Sequence, residues 1–210
     1  MRSIRYTRVM VLKIVQVGEQ VLRQVGRELS VEEIRSDKIQ NLISMMHDTL
    51  RDAPGVGLAA PQIGESLQLA IVEDLPEYSR NLTPEQMEER ERKPVPFHVI
   101  VNPKLTGIGE PAVEFFEGCL SLNGFTAMVP RYRRVRVECF DELGHPKVIE
   151  ASGWYARILQ HEIDHLNGRI YIDRMYSRTF MSIDNATRHW KDVPTEEVKH
   201  RLQITTRDVK

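Results

Sequence analysis

The stretch LQHEIDHLNG, residues 159–168, contains the pattern H-E-x-x-H and decides the fold. His161 and His165 are four residues apart, so on a helix they lie on one face and can reach the same metal ion. The longer segment SGWYARILQHEIDHLNG (152–168) begins with a serine that can cap a helix and ends near a glycine that can stop one. Its apolar residues cover most of the helix circumference. The sequence therefore predicts a helix that runs through the core and carries both histidines.

Glu162 lies on this mostly apolar helix surface. A buried carboxylate without a partner costs free energy, whereas a carboxylate beside a metal-bound water can carry a proton. The alternative is a core helix whose histidines are hydrogen-bonded to the backbone. The position of Glu162 favours a metal site over that alternative.

A catalytic ion needs a third protein ligand. The metzincin pattern places a His where this chain has Tyr171. A thermolysin-like enzyme uses a downstream Glu, but the next Glu is Glu196, with Asp173 and Asp184 as nearer carboxylates. Upstream, Cys119 lies in EGCLS, and a Cys-His-His set would leave one tetrahedral position open for water. A buried structural role is the alternative for this cysteine.

The composition indicates one soluble domain with a real core. The chain has 210 residues, of which 41% are hydrophobic, and a net charge of -1 that argues against binding nucleic acid or membrane through bulk charge. No apolar run approaches the roughly 20 residues that span a bilayer. Two cysteines, Cys119 and Cys139, are too few for a disulfide scaffold and favour a reducing cytosol. The basic start is interpreted as an extension (1–11), and Met10 as an alternative start.

Around the central helix, the pattern predicts one more long helix and several strands. Ser36 or Asp37 can cap a helix over 36–53, where apolar residues recur at helical spacing. Thr83 and Pro84 favour a short exposed helix inside a charged surface insertion at 74–96. The predicted strands cover 67–73, 97–103 and 111–124, and a predicted hairpin covers 132–151. A Gly/Pro-rich loop is predicted at 53–64. A short extended piece is predicted after the central helix, and the polar tail (181–210) is predicted to be helical or loose.

Three motifs resemble the signatures of peptide deformylases. They are GVGLAAPQ (55–62), EGCLS (117–121) and QHEIDH (160–165), and they occur in the family's order. The resemblance covers about residues 12–180, a single catalytic domain, and is closest to the longer subgroup that includes organellar and some bacterial enzymes. It implies an α+β fold in which antiparallel β-sheets pack around the central helix with H-E-x-x-H.

The resemblance also implies roles for individual residues. Cys119, His161 and His165 would bind one divalent metal, which lowers the pKa of a bound water, and Glu162 would carry its proton. Iron is the expected physiological ion, while Zn²⁺, Ni²⁺ or Co²⁺ suit the same ligands in purified protein. The oxyanion donors would be the Gln62 side chain and the backbone N–H of Leu120; without the resemblance, Gln62 would be interpreted as a loop-stabilising amide.

The substrate implied is a nascent peptide that begins with N-formylmethionine, bound as an added β-strand. The substrate-binding candidates are Val56, Gly57, Phe115, Gly118, Trp154 and Ile158, and the apolar ones among them are equally well interpreted as core. Glu117 and Arg131 are expected to pair near Cys119, with Asp164 as a second partner of Arg131. Thr126 departs from the family pattern, which often has a peptide-binding Arg there.

Two other functions stay open: a different H-E-x-x-H metallopeptidase, and a non-catalytic metal- or peptide-binding relative. The expected location is the cytoplasm of a bacterium, with an organelle as second choice. The ribosome is a candidate partner. We expect no sequence-specific nucleic-acid binding, no membrane contact, and a monomer or weak dimer.

Overall fold

A computed structural model of the chain describes residues 10–80, 82–111 and 113–204. Most of the predicted extension (1–11) and the last six residues lie outside these ranges. The helices are α1 (Val31–Ile34), α2 (Asp37–Asp52), α3 (Pro84–Glu89), α4 (Gly153–Leu166), α5 (Ile183–His189) and α6 (Thr195–Leu202). Among the described residues, no helix combines the length and apolar character needed to cross a bilayer.

In the part of the chain that the structure describes, eight strands form two antiparallel sheets. The five-stranded sheet has the order β1-β2-β3-β6-β7 and the three-stranded sheet the order β4-β5-β8. The strands are β1 (Gly57–Ala59), β2 (Leu69–Asp74), β3 (Val95–Ile108), β4 (Val113–Cys119), β5 (Leu122–Arg131), β6 (Arg134–Phe140), β7 (Pro146–Ser152) and β8 (Met181–Ser182). The predicted α+β class, with antiparallel sheets around the H-E-x-x-H helix, is confirmed.

The five-stranded sheet is covered on both faces. On one face Ile158, Leu159 and Ile163 of α4 pack against a cluster that includes Val135 and Val137 of β6. On the other face α2 packs Leu42, Met46 and Leu50 against β2 and β3. All six residues of β2 are buried, as expected for a strand between two helical layers. Helix α4 therefore lies inside the molecule, as its apolar circumference predicts.

The two long helices match their sequence signals. Helix α2 begins after Ser36, whose side chain accepts a hydrogen bond from the Ile39 N–H, and the Thr83 capping box starts α3. Helix α4 begins after Ser152, although the Ser152 side chain makes no capping hydrogen bond. The turn of the predicted 132–151 hairpin contains Gly144 with a positive φ of 73°.

Three predictions about shorter segments need correction. The 53–64 stretch contains β1 and a 3₁₀ helix (Ala60–Ile63) rather than only loop. The strand after the EGCLS turn, β5, has ten residues and was not recognised in the sequence. The piece after α4 (169–175), expected to be extended, contains a 3₁₀ turn at Tyr171–Asp173, and a second 3₁₀ turn follows it at Ser177–Thr179.

The charged insertion is anchored to the start of α4. The Trp154 backbone N–H donates to the Arg90 carbonyl at 2.8 Å. Gly153, which has a positive φ of 57°, allows this approach, because a Cβ there would lie 2.8 Å from the same carbonyl. The insertion is thus exposed along α3 but fixed at its end.

The polar tail also packs on the domain. Val198 of α6 is only 1% exposed and lies in a cluster with Met128 and Tyr176. The Lys199 ammonium group donates to Glu114 of β4 at 2.6 Å. The tail is therefore helical in its described part, while the predicted domain boundaries at 12 and 180 stay a prediction.

Candidate metal centre

Three potential metal ligands converge between the two sheets. The candidate ligand atoms of Cys119, His161 and His165 all lie within 4.8 Å of one another, and Cys119 Sγ is 3.2 Å from His165 Nε2. His161 and His165 are on successive turns of α4, whereas Cys119 ends β4 and enters the turn to β5. The centre therefore joins the central helix to the three-stranded sheet.

A buried carboxylate orients His161. Glu117 Oε2 accepts from His161 Nδ1 at 2.9 Å, which leaves the other ring nitrogen free to face Cys119. Arg131 donates twice to Glu117, at 2.9 Å each, and Arg157 donates once at 2.6 Å. Although burial opposes ionisation, these two arginines hold the pKa of Glu117 well below its usual value. Glu117 is thus an anion that fixes the ring of His161.

The predicted charge pairs of Arg131 are confirmed. Besides Glu117, the Arg131 guanidinium contacts Asp164, which also accepts two hydrogen bonds from Arg174, at 2.7 and 2.8 Å. Burial raises the pKa of Asp164, but Arg174 and Arg131 bring it below its usual value. This network ties the turn of α4 between the two histidines to β5.

The two histidines differ in their electrostatic surroundings. Burial and the charge of His161 lower the pKa of His165 well below its usual value. Burial also disfavours the charged form of His161, but hydrogen bonds to Cys119 and Glu117 raise its pKa well above the usual value. A proton on His161 and a metal ion compete for the same ring nitrogen, so metal binding here releases a proton.

Glu162 lies beside the three donors without a partner of its own. It is 4% exposed, and its Oε2 atom has no hydrogen-bond partner in the described part of the chain. Burial raises its pKa to about 7. Gly57 makes room for it, because a Cβ at position 57 would lie 2.6 Å from the Glu162 Cδ atom. The glycine of β1 is therefore required by the close approach of this carboxylate.

The predicted oxyanion donors are both near Cys119. Gln62 is 2% exposed, and its Oε1 atom accepts from the Ala59 N–H at 2.9 Å. This bond points its Nε2 atom toward Cys119 Sγ and Ser121 Oγ, at 3.5 and 3.4 Å. Leu120 follows Cys119 in the β4–β5 turn, and its backbone N–H donates to no group among the residues described. The Leu120 N–H is therefore available to a ligand at the centre, whereas the Gln62 amide has to exchange one of its two contacts for such a ligand.

The donor set fits a tetrahedral ion with one position left for a small ligand. One thiolate and two imidazoles are ligands that Zn²⁺, Fe²⁺, Ni²⁺ and Co²⁺ accept. With ordinary bond lengths, ligand atoms of such a site lie roughly 3.5 Å apart, close to the 3.2 Å between Cys119 Sγ and His165 Nε2. Within the described ranges, this triplet is the group of donors that can hold an ion.

The predicted substrate-binding residues fall into two groups. Val56 and Trp154 pack on the apolar cluster that contains Ile158, beside the ligand face of α4. Phe115 is flanked by Arg157 and Arg90, and Arg90 also lies 5.5 Å from the Trp154 ring. Gly57 and Gly118 are on the edge strands β1 and β4. Their contacts with a substrate stay a prediction.

Three residues of the site were missed in the sequence. The Ser121 N–H donates to Cys119 Sγ at 3.4 Å, Arg157 donates to Glu117, and Arg90 covers Trp154. Only Arg157 had a signal, since a buried cation in an apolar helix needs a carboxylate partner. Thr126, where the family often has Arg, donates its hydroxyl to the Glu117 carbonyl at 2.9 Å.

Comparison with known proteins identifies the family. The model of the polypeptide deformylase family matches residues 11–180, which include every residue of the metal centre. The chain belongs to the polypeptide deformylase family.

Individual deformylases resemble the chain over most of its length. It is 45% identical over 172 residues to the chloroplastic peptide deformylase 1A of Solanum lycopersicum, covering 82% of this chain but 62% of that protein. It is 42% identical to peptide deformylase 1 of Bifidobacterium longum, covering 88% and 83% of the two chains. A class I type b peptide deformylase of Acinetobacter baumannii, crystallised with Met-Ala-Ser bound, superposes with a TM-score of 0.71 at 30% identity, over 80% of this chain and 100% of that one.

Proposed function

We propose that this protein is a metal-dependent hydrolase that removes the formyl group from N-formylmethionine at the amino terminus of newly made polypeptides. The observation that carries the proposal is the buried Cys119–His161–His165 triplet with the unpartnered Glu162 carboxylate beside it, in a chain of the deformylase family. The products are formate and a free amino terminus.

The metal would be held by Cys119 Sγ and one ring nitrogen each of His161 and His165. When bound, a divalent ion lowers the pKa of a water and polarises the formyl carbonyl. Fe²⁺ is the ion expected in the cell, and Zn²⁺, Ni²⁺ or Co²⁺ can take its place in purified protein, because this donor set does not discriminate strongly among them. Glu117 and its two arginines keep the His161 ring in the orientation that binding needs.

Glu162 moves the proton. Its carboxylate takes a proton from the attacking water, whose oxygen forms a bond to the formyl carbon. When the C–N bond of the formyl group breaks, the same carboxyl group gives that proton to the departing amine. A pKa of about 7 suits both steps at neutral pH, since a group near the working pH can accept and donate.

Gln62 and Leu120 stabilise the oxyanion that develops on the formyl oxygen. The Gln62 Nε2 group is oriented by the Ala59 N–H, and it can donate to the oxyanion once its 3.4 Å contact with Ser121 Oγ is given up. The Leu120 N–H is unengaged among the described residues and can donate without rearrangement. Preorganised donors of this type contribute more to the transition state than to the ground state.

The peptide would bind as an extended strand between two unpaired edges. β1, which contains Gly57, is at the edge of the five-stranded sheet, and β4, which contains Gly118, is at the edge of the three-stranded sheet. Backbone pairing with Val56 and Gly118 would hold the chain. Val56, Phe115, Trp154 and Ile158 would surround the methionine side chain, since a flexible apolar residue needs an apolar pocket.

Formate release from formyl-Met-Ala-Ser tests the activity. We expect release by protein loaded anaerobically with Fe²⁺ or with Ni²⁺. Protein that releases no formate with iron, nickel or cobalt would contradict the proposal. If it binds the formylated peptide unchanged, the chain is a non-catalytic binding relative.

The variant Cys119→Ala separates this reaction from other H-E-x-x-H hydrolases. Loss of the thiolate should reduce metal occupancy strongly, which elemental analysis measures. Full occupancy would favour a downstream carboxylate as third ligand, and with it a peptidase. Cys139→Ala is the matched control, because Cys139 is buried in the apolar cluster of the five-stranded sheet.

We propose the cytoplasm of a bacterium as the location, with an organelle as second choice. Support comes from the resemblance to both a bacterial and a chloroplastic protein. Nascent formylated chains would be the partners, with the ribosome as a candidate, and the protein would be a monomer or weak dimer without sequence-specific nucleic-acid or membrane binding.

A further inference from the structure

An extended segment near the amino terminus joins the two loops that contain the oxyanion donors. Residues 12–17, here called the N-terminal strap, have no regular secondary structure. The Leu12 N–H donates to Thr49 Oγ1 of α2 at 2.9 Å, and the Val15 N–H donates to the Gln62 carbonyl at 2.9 Å. The Val17 N–H donates to the Ser121 carbonyl at 2.7 Å. The strap therefore touches α2, the Gln62 turn and the β4–β5 turn in succession.

Gln16 is the side chain of the strap that contacts the β4–β5 turn. Its Nε2 group donates to the Leu120 carbonyl at 3.0 Å, and its Oε1 atom accepts from the Asn123 N–H at 3.4 Å. Together with the bond from Val17, the strap holds two consecutive carbonyls of the turn, those of Leu120 and Ser121. This fixes the turn from its outer side and leaves the Leu120 N–H unengaged.

The strap matters because the two donors belong to different sheets. Gln62 follows β1 of the five-stranded sheet, whereas Leu120 lies between β4 and β5 of the other sheet. The contact of Gln62 with Ser121 Oγ, at 3.4 Å, is long, whereas that with Cys119 Sγ, at 3.5 Å, is an ordinary distance for a hydrogen bond to sulfur. The bonds from Val15, Val17 and Gln16 to carbonyls, at 2.7 to 3.0 Å, are shorter. The strap thus adds a second connection between the two donors, beside the direct contacts of Gln62 with the turn.

We propose that Gln16 is a positioning residue for catalysis, which holds the Leu120 peptide so that its N–H and the Gln62 amide reach the same oxygen. The proposal rests on the proposed function, because it assigns no new substrate. Oxyanion donors act at about 2.7–3.1 Å, and a displacement of roughly 1 Å can cost a large factor in rate. Gln16 does not touch the substrate.

A role of Gln16 in folding alone would lower the thermal midpoint of a Gln16 variant and leave kcat unchanged, whereas a positioning role predicts the reverse. Gln16 is exposed, and hydrogen bonds of exposed side chains contribute little to stability. Its loss should therefore leave the thermal midpoint nearly unchanged. It should lower kcat while KM stays the same, since the strap acts on groups used in the transition state.

The experiment compares four variants of the full chain. Gln16→Ala removes both contacts, Gln16→Glu removes the donor, and Gln16→Lys keeps a donor to the Leu120 carbonyl. Gln20→Ala is the control, because Gln20 is an exposed glutamine of the next turn whose side chain has no hydrogen bond among the described residues. Formate release gives kcat and KM, and elemental analysis gives metal content. In zinc-loaded protein, NMR gives the amide signals of Leu120 and Ser121.

We expect kcat to fall about 5- to 20-fold in Gln16→Ala and at least as much in Gln16→Glu, with KM within about twofold and metal content unchanged. Gln16→Lys should recover part of the loss, and the Leu120 and Ser121 signals should move in Gln16→Ala but not in Gln20→Ala. Wild-type kcat in Gln16→Ala, or a loss no larger than in Gln20→Ala, would overturn the proposal. A wild-type protein that releases no formate would contradict the proposed function instead, and the amide signals would still decide whether Gln16 holds the turn.

Discussion

At the scale of single residues, the site depends on a carboxylate that has no partner. Most buried charges in this chain are paired, as Glu117 is with Arg131 and Arg157. Among the buried acidic residues that the structure describes, only Glu162 has no salt bridge, and burial raises its pKa to about 7. A paired carboxylate would have a lower pKa and would be a weaker base toward the attacking water.

The variant Glu162→Gln should therefore bind metal normally but lose turnover. We expect kcat to fall by roughly 10²- to 10⁴-fold, the usual contribution of a positioned proton carrier. Formate release and elemental analysis of the same sample measure the two effects. Glu65→Gln, at an exposed glutamate near the Gln62 turn, is the control; substantial turnover in Glu162→Gln would show that another group moves the proton.

The variant Gly57→Ala should displace this carboxylate. The added methyl group would overlap Glu162, so either β1 or the carboxylate must shift. We expect the free energy of unfolding to fall by about 1–3 kcal/mol, together with a loss of kcat. Urea unfolding measures the first effect, with Gly118→Ala as control, because a Cβ there would meet only the Phe125 carbonyl at 3.7 Å. Equal stability of the two variants would contradict the steric explanation.

Many residues of the site could be predicted from the sequence, but the contacts between distant elements that require them could not. The spacing of His161 and His165 predicts a shared ion, whereas the choice of Cys119 needed the family resemblance, since no local spacing links residues 119 and 161. The need for a glycine at 57 is invisible in the sequence, because Glu162 approaches from another element. Ser121 was missed for the same reason.

At the scale of elements, α2 is attached to β2 by an ion pair at the sheet surface. Arg51 donates twice to Glu73, at 3.0 and 2.9 Å, and His47 contacts the same carboxylate. The hydrogen bonds from Arg51 lower the pKa of Glu73, and those of His47 add to this, against the effect of burial. Since the folded pKa is below the unfolded one, the pair stabilises the fold above the unfolded pKa and loses this effect as pH falls through the folded value.

Arg51→Met should therefore destabilise the protein at pH 7, and progressively less as the pH falls below about 4.5, the usual pKa of the Glu73 carboxyl group. We expect a loss of about 1 kcal/mol or less at neutral pH, because the arginine is half exposed. Thermal unfolding at a series of pH values measures this. Arg188→Met, at an exposed arginine of α5, should show no such pH dependence; a loss that is constant with pH would mean that Arg51 acts through packing alone.

Elements with strong local signals were predicted well, and those made by long-range pairing were not. α2 and α4 have caps and apolar residues at helical spacing, which do not depend on the rest of the chain. β5 contains Gly124 and Pro130, which read as loop, and it is a strand because it pairs with β4 on one side and β8 on the other. The three residues of β1 are likewise a strand only beside β2.

At the scale of the whole molecule, the tail covers an apolar cluster on the three-stranded sheet. Val198, Trp190 and Leu202 lie with Met128 of β5 and Phe116 of β4. The sequence predicts a polar tail that is helical or loose, but not which face of the domain it covers. The packing of the tail on the sheet depends on contacts between distant segments of the chain, and the periodicity of apolar residues within one segment does not specify such contacts.

Val198→Asp should detach α6 without disturbing the metal centre. We expect the free energy of unfolding to fall by about 2 kcal/mol, the contribution of one buried valine-sized side chain, and trypsin to cleave faster at Lys199 and Arg201. Metal content should be unchanged, since the three ligands are in β4 and α4. His200→Asp, exposed on the same helix, is the control; loss of metal in Val198→Asp would show that the tail supports the site.

Gly153 has a consequence for loop engineering. Its backbone lets the end of the 74–96 insertion dock where no side chain fits, so Arg90 can offer its carbonyl to the first turn of α4. A loop grafted in place of this insertion must supply a backbone carbonyl at the same position to accept the Trp154 N–H. A side chain at position 153 would clash with the grafted loop. The end of the insertion and the start of α4, some sixty residues apart in the sequence, are therefore complementary in shape and have to be redesigned together.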